Sequence, residues 1–215
     1  IPIVNKLKNH IGEYFVGKEE IIESILICLF AGGHILLEGV PGVGKTTLAS
    51  TLAKAVECDF GRIQFTPDTL PTDVMGTEIF NMKTGEFEYR EGAVMHQIVL
   101  ADEINRASPK AQSSLLEVME EFQISLDGKT HKLPSPFMTL ATQNPVETYG
   151  TYHLPEAQMD RFIMRVSMGY PTNAEEIEIL GRMEFENPID KISAVVSLEE
   201  ITEYQKKVTE VKTSP

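Results

Sequence analysis

The sequence has few cysteines and no long uninterrupted apolar run. Its two cysteines, Cys28 and Cys58, lack the spacing of metal ligands, so they are predicted to be reduced, packed thiols rather than a disulfide framework or a zinc site. The most apolar stretch, residues 25–37, is interrupted by Gly32 and Gly33 and is too short to span a bilayer. A cytoplasmic protein without a signal peptide or a membrane span is therefore expected.

Basic residues are also scarce. Lys and Arg number 19 against 32 Asp and Glu, which gives a net charge of −13 and a pI near 4.8. This balance argues against a general nucleic-acid binder, because binding to phosphate backbones needs a positive surface. The 215 residues are 42% apolar and 24% charged, a profile typical of one large globular α/β domain, or of one domain with part of a second.

Short apolar runs alternate with helical patterns, which predicts a three-layer α/β domain with a parallel sheet. Helices are predicted to follow Lys45 and to begin at Pro109, where Ser108 has the character of an N-cap. Two hairpins, at residues 78–90 and 123–133, interrupt the alternation and are expected to project from the core. The predicted strands lie at residues 35–37, 62–65, 98–101, 138–141 and 165–168.

A boundary is predicted near Tyr170, which divides the chain into an α/β core at residues 1–170 and a helical segment at residues 171–215. Within the second part, one helix is expected at residues 173–186 and another from Ser197. This part has the character of an incomplete helical lid.

A phosphate-binding motif follows the first predicted strand and opens the helix after it. Glycines allow positive φ angles, so several N–H groups can converge on one anion at a helix N-terminus. Lys45 is expected to reach the β- and γ-phosphates of a nucleotide, and the Thr46 hydroxyl to bind Mg²⁺. The residues predicted to bind nucleotide in this segment are Gly39, Pro41, Gly42, Val43, Gly44, Lys45, Thr46 and Thr47.

Two further strand ends carry candidate catalytic residues. Asp102 and Glu103 end the apolar run 98–101; Asp102 is predicted to hold Mg²⁺ through water, and Glu103 to polarise the attacking water as a general base. Asn144 follows the run 138–141 and can orient that water, although asparagine before proline also begins turns. Because binding alone does not need Glu103, the set favours ATP hydrolysis.

The motifs together resemble the MoxR family of AAA+ ATPases, over about residues 5–209. The phrases that carry the resemblance are GGHILLEGVPGVGKT (32–46), RIQFTPD (62–68), IVLADEINRASPKAQSSLLEVMEE (98–121), LATQNPVE (140–147) and LPEAQMDRF (154–162).

The resemblance implies a five-stranded αβα ATPase domain of strand order 5-1-4-3-2, followed by a helical lid. It implies that Val16 and Gly17 contact adenine, that Asn144 is the sensor 1 residue, and that Arg161 is an arginine finger offered to a neighbouring subunit. The first hairpin matches the helix-2 insert and the second the pre-sensor hairpin.

The same resemblance implies a hexameric ring that binds ATP or ADP with Mg²⁺ and remodels client proteins, often beside a partner with a von Willebrand factor A domain. The family's sensor 2 arginine is expected in later lid helices, and Arg182, in the first lid helix, is not at the equivalent position.

Several points stay open at the level of sequence. A DNA-directed motor is one alternative, because other ATPases share the helix-2 insert, and a nucleotide-gated scaffold with negligible turnover is another. Gln64 is either a residue that turns the catalytic carboxylate away or an ordinary strand-end amide. Arg106 can point to the ring interior or to a neighbouring subunit.

Overall fold

The structure is a computed structural model that describes residues 2–40, 42–145, 150–183 and 191–211. The helices are α1 Pro2–Tyr14, α2 Glu19–Phe30, α3 Lys45–Ala55, α4 Pro71–Met75, α5 Pro109–Glu121, α6 Glu156–Met159, α7 Asn173–Met183 and α8 Leu198–Thr209, with a 3₁₀ turn at Ile104–Arg106. The strands are β1 His34–Glu38, β2 Phe60–Gln64, β3 Gly76–Asn81, β4 Glu86–Glu91, β5 Ile98–Asp102, β6 Gln123–Leu126, β7 Lys129–Lys132, β8 Met138–Gln143 and β9 Phe162–Ser167.

The five predicted strands form one parallel sheet of order β2-β5-β8-β1-β9. Numbered among themselves along the chain and read from β9, they have the order 5-1-4-3-2, so the implied order is confirmed. The largest difference from the predicted bounds is the start of β9 at Phe162, and the other strand ends, including the start of β2 at Phe60, differ by at most two residues. β9 is an edge strand whose Ile163 is 51% exposed, so it lacks the continuous apolar run that marks the central strands.

Two apolar clusters cover the two faces of the sheet. Ile35 and Leu37 of β1 pack in the cluster of α1, α2 and α3, whereas Leu36 packs in the cluster of α5. This division follows from the alternation of side chains along a strand. All residues of β5 are buried, as expected for a central parallel strand. The three-layer αβα fold predicted from the sequence is therefore confirmed.

Both hairpins form as predicted, and they pack on each other. The second turns at Asp127 and Gly128, whose φ angles of 47° and 80° are those of a type I′ turn. The ring of Tyr89 on the first hairpin stacks on His131 of the second, with centroids 3.9 Å apart. Lys129 Nζ lies 2.8 Å from the Glu78 carboxylate, which adds an ion pair between them. The two hairpins, β3–β4 and β6–β7, thus pack together as one unit, and Ile124 of β6 anchors the second hairpin in the cluster of α5.

The last described helix packs on the α/β core. Ile201 of α8 is fully buried in the cluster that contains α2, and the Tyr204 ring meets Phe30 edge to face at 6.0 Å. Gln205 Nε2 also donates to the Leu29 carbonyl at 2.7 Å. The predicted helix at 173–186 is seen as α7, and its last residues lie outside the described part. The division of the chain at Tyr170 stays a prediction.

The start of α8 is stabilised by a capping box at Ser197. Its hydroxyl accepts from the Glu200 N–H at 3.3 Å, and the Glu200 carboxylate accepts from the Ser197 N–H at 2.9 Å. Ser197→Ala is expected to lower the free energy of unfolding by about 1 kcal/mol, because it leaves a helix N–H without its partner. Urea unfolding measures this change. Ser113→Ala, the same change on the exposed face of α5, should cost nothing, and an equal loss in both variants would contradict the capping role.

Candidate functional site

The glycine-rich segment lies between β1 and α3, at the carboxyl edge of the sheet. Gly42 and Gly44 have φ angles of 85° and 84°, which non-glycine residues rarely adopt. Gly44 is the N-cap of α3, and a Cβ there would lie 3.1 Å from the Phe15 ring. The Gly39 N–H donates to the Gln143 carbonyl at 3.1 Å and so ties the segment to β8. The backbone thus leads directly into the N-terminus of α3, where an anion is favoured.

Lys45 is the first residue of α3, and it is 7% exposed. Its Nζ donates to the Gly39 carbonyl at 3.0 Å, across the loop that precedes it. Burial lowers the pKa of the ammonium below its usual value, and the carboxylates of Asp102 and Glu103 act in the opposite direction. Val43, Thr46 and Thr47 are partly buried beside it, whereas Pro41 lies outside the described residues.

Asp102 ends β5 with its side chain held by two neighbouring strands. Thr142 Oγ1 of β8 donates to Oδ1 at 2.6 Å, and Arg62 Nη2 of β2 donates to Oδ2 at 2.8 Å. The Asp102 side chain is only 11% exposed, while that of Arg62 is 45% exposed. A buried carboxylate with oxygens fixed in this way is a suitable acceptor for a cation.

Glu103 follows Asp102 in a left-handed backbone conformation, with φ 56° and ψ 47°. Such a conformation costs a non-glycine residue about 1–3 kcal/mol, and it occurs often at functional sites. The Glu103 N–H donates to Thr142 Oγ1 at 2.9 Å, which helps to hold the turn. Its Oε2 accepts from Gln64 Nε2 at 2.8 Å and from Arg106 Nη1 at 3.2 Å. Gln64 and Arg106, whose roles the sequence left open, both contact this carboxylate.

Asn144 follows β8 directly, between the strands that carry Asp102 and the glycine-rich segment. It is partly buried, and its carbonyl accepts from Asn105 Nδ2 at 3.4 Å. Val16 and Gly17 lie in the loop between α1 and α2, next to Phe15, whose ring occupies the space beside Gly44 that a side chain there would need. The structure therefore brings the loop at residues 15–17 to the glycine-rich segment.

Arg161 lies at the amino ends of the sheet strands, opposite the carboxyl ends that carry the glycine-rich segment. It immediately precedes β9, which pairs with β1 so that Phe162 is opposite His34 and Ser167 is opposite Glu38. The length of a five-residue strand, about 16 Å, therefore separates Arg161 from the edge that carries the glycine-rich segment. Its Nε and Nη2 donate to Glu120 Oε2 at 2.9 and 2.6 Å. Arg161 is not brought together with the other candidate residues of its own chain.

Comparison with known proteins identifies the family. Residues 34–164 match the model of the ATPase family associated with various cellular activities (AAA). The chain is 52% identical over 168 residues to the chaperone MoxR1 of Mycobacterium tuberculosis, covering 78% of this chain and 45% of that protein. The chain belongs to the MoxR family of AAA+ ATPases. The fold and family that the sequence indicated are confirmed.

Other relatives of this MoxR-family chain match nearly all of it. YeaC, an uncharacterized protein of Bacillus subtilis, is 52% identical over 211 residues, which are 98% of this chain and 66% of YeaC. A crystal structure of a proposed ATPase from Cytophaga hutchinsonii has a TM-score of 0.89 and 44% identity, covering 98% of this chain and 64% of that one. The chain thus spans less than two thirds of the length of these relatives.

Three contacts of this MoxR-family site were missed from the sequence. Arg62 and Thr142 bind the Asp102 carboxylate, and Glu120 binds Arg161. The alternation Arg62-Ile-Gln64, with both polar side chains on one face of β2, was the available signal for the first of them.

Among the helices of the described part, none is long and apolar enough to cross a membrane.

Proposed function

We propose that this chain binds Mg-ATP at the carboxyl edge of its sheet and hydrolyses it as the ATPase part of a MoxR-type remodelling protein. The observation that carries the proposal is the convergence of Lys45, Asp102 and Glu103, whose charges act on one another in a partly buried site. A lysine, a metal-binding acid and a second acid are the parts that phosphoryl transfer to water requires.

The residues present fit both the nucleotide and the metal ion. The α3 N-terminus and Lys45 suit a polyphosphate, since both attract negative charge. The Thr46 hydroxyl and the Asp102 carboxylate are hard oxygen donors, which Mg²⁺ prefers to thiolate or imidazole ligands. When bound, Mg²⁺ neutralises charge on the phosphate oxygens.

The chain's own residues then divide the work of hydrolysis. Lys45 exchanges the Gly39 carbonyl for phosphate oxygens, which are stronger acceptors for an ammonium. Glu103 accepts a proton from water through a carboxylate oxygen, and the contacts of its Oε2 with Gln64 and Arg106 restrain the side chain until water is positioned. Asn144, which follows the strand next to the one that precedes Glu103, orients the water. Val16 and Gly17 contact the adenine from the loop beside the glycine-rich segment.

Arg161 acts on the nucleotide of a neighbouring subunit rather than on its own. Its place at the far edge of the sheet supports this role, because no side chain reaches across a strand of about 16 Å. The chain is accordingly proposed to work in a homo-oligomeric ring of six subunits. A client protein and a partner with a von Willebrand factor A domain remain part of the proposal, by likeness to the family.

The nucleotide-binding role is tested by Lys45→Ala. The variant is expected to bind ADP and ATP on the order of a hundredfold more weakly, because it loses a charge-assisted contact to phosphate in a buried site. Titration calorimetry with magnesium nucleotide measures the dissociation constant, and released phosphate measures turnover.

The matched control is Lys54→Ala, in the exposed last turn of the same helix, which should bind as the unchanged chain does. Equal affinity of Lys45→Ala and the unchanged chain would contradict the proposed site. Tight binding by the unchanged chain with no phosphate release at any protein concentration would favour the nucleotide-gated scaffold instead.

A further inference from the structure

Arg62 connects the two acids of the site. A single nitrogen, Nη2, donates to Asp102 Oδ2 at 2.8 Å and to Gln64 Oε1 at 2.9 Å. Because the amide oxygen of Gln64 accepts from Arg62, its amide nitrogen faces the Glu103 carboxylate, to which it donates at 2.8 Å. The chain of contacts therefore runs from the acid assigned to the metal to the acid assigned to the water.

The contact with Asp102 places a guanidinium on the oxygen that a metal ion would use. Thr142 holds Oδ1, and Arg62 holds Oδ2. A hydrated divalent cation beside Oδ2 would meet the positive charge of Arg62 at short range in a site with little water, where like charges repel strongly. The guanidinium and the metal ion therefore compete for the same carboxylate.

The exposure of the two partners favours movement of Arg62 rather than of Asp102. The Arg62 side chain is 45% exposed, so it can turn into solvent at little cost, whereas Asp102 is 11% exposed and held from both sides. Arg62 also neutralises Asp102 where an uncompensated buried carboxylate would repel phosphate groups.

We propose that Arg62 is a positioning residue that occupies the Asp102 carboxylate in the absence of metal and leaves it when magnesium nucleotide binds. The proposal rests on the proposed nucleotide site. Departure of Arg62 removes the hydrogen bond that orients the Gln64 amide. Binding of the metal at Asp102 therefore loosens the contact of Gln64 that restrains Glu103. Metal binding and release of the catalytic carboxylate are thereby linked through one side chain.

The test is the magnesium dependence of ADP affinity in Arg62→Gln, measured by calorimetry in saturating Mg²⁺ and in EDTA. In EDTA the variant should bind ADP about three- to tenfold more weakly than the unchanged chain, because Asp102 is left as an uncompensated charge. In saturating Mg²⁺ the two should bind equally. For Arg62→Gln, the ratio of the dissociation constant in EDTA to that in saturating Mg²⁺ should therefore be about three- to tenfold larger than for the unchanged chain. The variant should also reach half of the magnesium effect on ADP affinity at a lower concentration of free Mg²⁺.

Three variants separate this effect from a general loss of structure. Arg90→Gln, the same change on the exposed strand β4, should leave the ratio unaltered, and Arg62→Lys, which keeps a charge, should lie between the unchanged chain and Arg62→Gln. In an Asp102→Asn background, Arg62→Gln should have no further effect on the ratio.

Equal magnesium dependence in Arg62→Gln and the unchanged chain would overturn the inference. So would an equal weakening with and without the metal, which is what a merely structural role of Arg62 predicts. If instead the unchanged chain bound no nucleotide in either condition, the proposed function itself would fail, so the two failures are distinguishable.

Discussion

Arg161→Ala is expected to lower ATP turnover by assembled subunits about 10³–10⁵-fold while leaving nucleotide affinity unchanged. The loss is large because an arginine supplied by a neighbour stabilises the charge that develops on the transferred phosphoryl group. Affinity is expected to stay unchanged because the arginine acts on charge that develops only during phosphoryl transfer, and in its own chain Arg161 lies at the opposite end of the strands from Lys45. Phosphate release at high protein concentration measures turnover, and calorimetry measures affinity.

Mixing experiments make this prediction specific. Lys45→Ala subunits, which lack a working site but keep Arg161, should restore part of the activity of Arg161→Ala subunits. The double variant Lys45→Ala/Arg161→Ala is the matched control and should restore none. Specific activity of the unchanged chain should also rise with protein concentration. Full turnover by dilute Arg161→Ala monomers would show that the finger is not shared.

Glu103→Gln is expected to keep nucleotide binding and to lower turnover about 10²–10⁴-fold, the usual contribution of a general base. Glutamine has nearly the same shape, but its amide does not accept a proton from water at neutral pH. The change also converts a charge-assisted contact with Arg106 into a neutral one, and Arg106 is 40% exposed, so little stability should be lost.

Calorimetry and phosphate release test the two halves of this prediction on the same preparation. Glu117→Gln, on the exposed face of α5, makes the same chemical change outside the site and should preserve turnover. Normal hydrolysis by Glu103→Gln would remove Glu103 as the base, whereas loss of binding would indicate that its charge shapes the phosphate site.

The features that the sequence predicted well are those set by local chemistry. The pair Asp127-Gly128 determined a type I′ hairpin, and Ser108 and Ser197 marked helix starts that the structure has at those positions. The central strands were recognisable because both of their faces are buried, which requires continuous apolar runs. The glycine-rich motif before Lys45 likewise predicted a loop between a strand and a helix.

Contacts between distant segments were not predictable in the same way. The ion pair of Arg62 with Asp102 depends on the register of β2 against β5, in which Gln64 lies opposite Asp102. A shift of one residue would have turned Arg62 to the other face. The contact of Arg161 with Glu120 depends on where α5 ends relative to β9. Single-sequence patterns specify elements but not their mutual register.

The joint between the two hairpins has a mechanical consequence. The Tyr89–His131 stack and the Lys129–Glu78 ion pair join segments that leave the core at different points, so a force on one hairpin is shared by the other. The strand that follows the second hairpin is β8, which carries Thr142. Strain applied at the hairpins can therefore pass along β8 to the hydroxyl that holds Asp102 and the backbone of Glu103 in place.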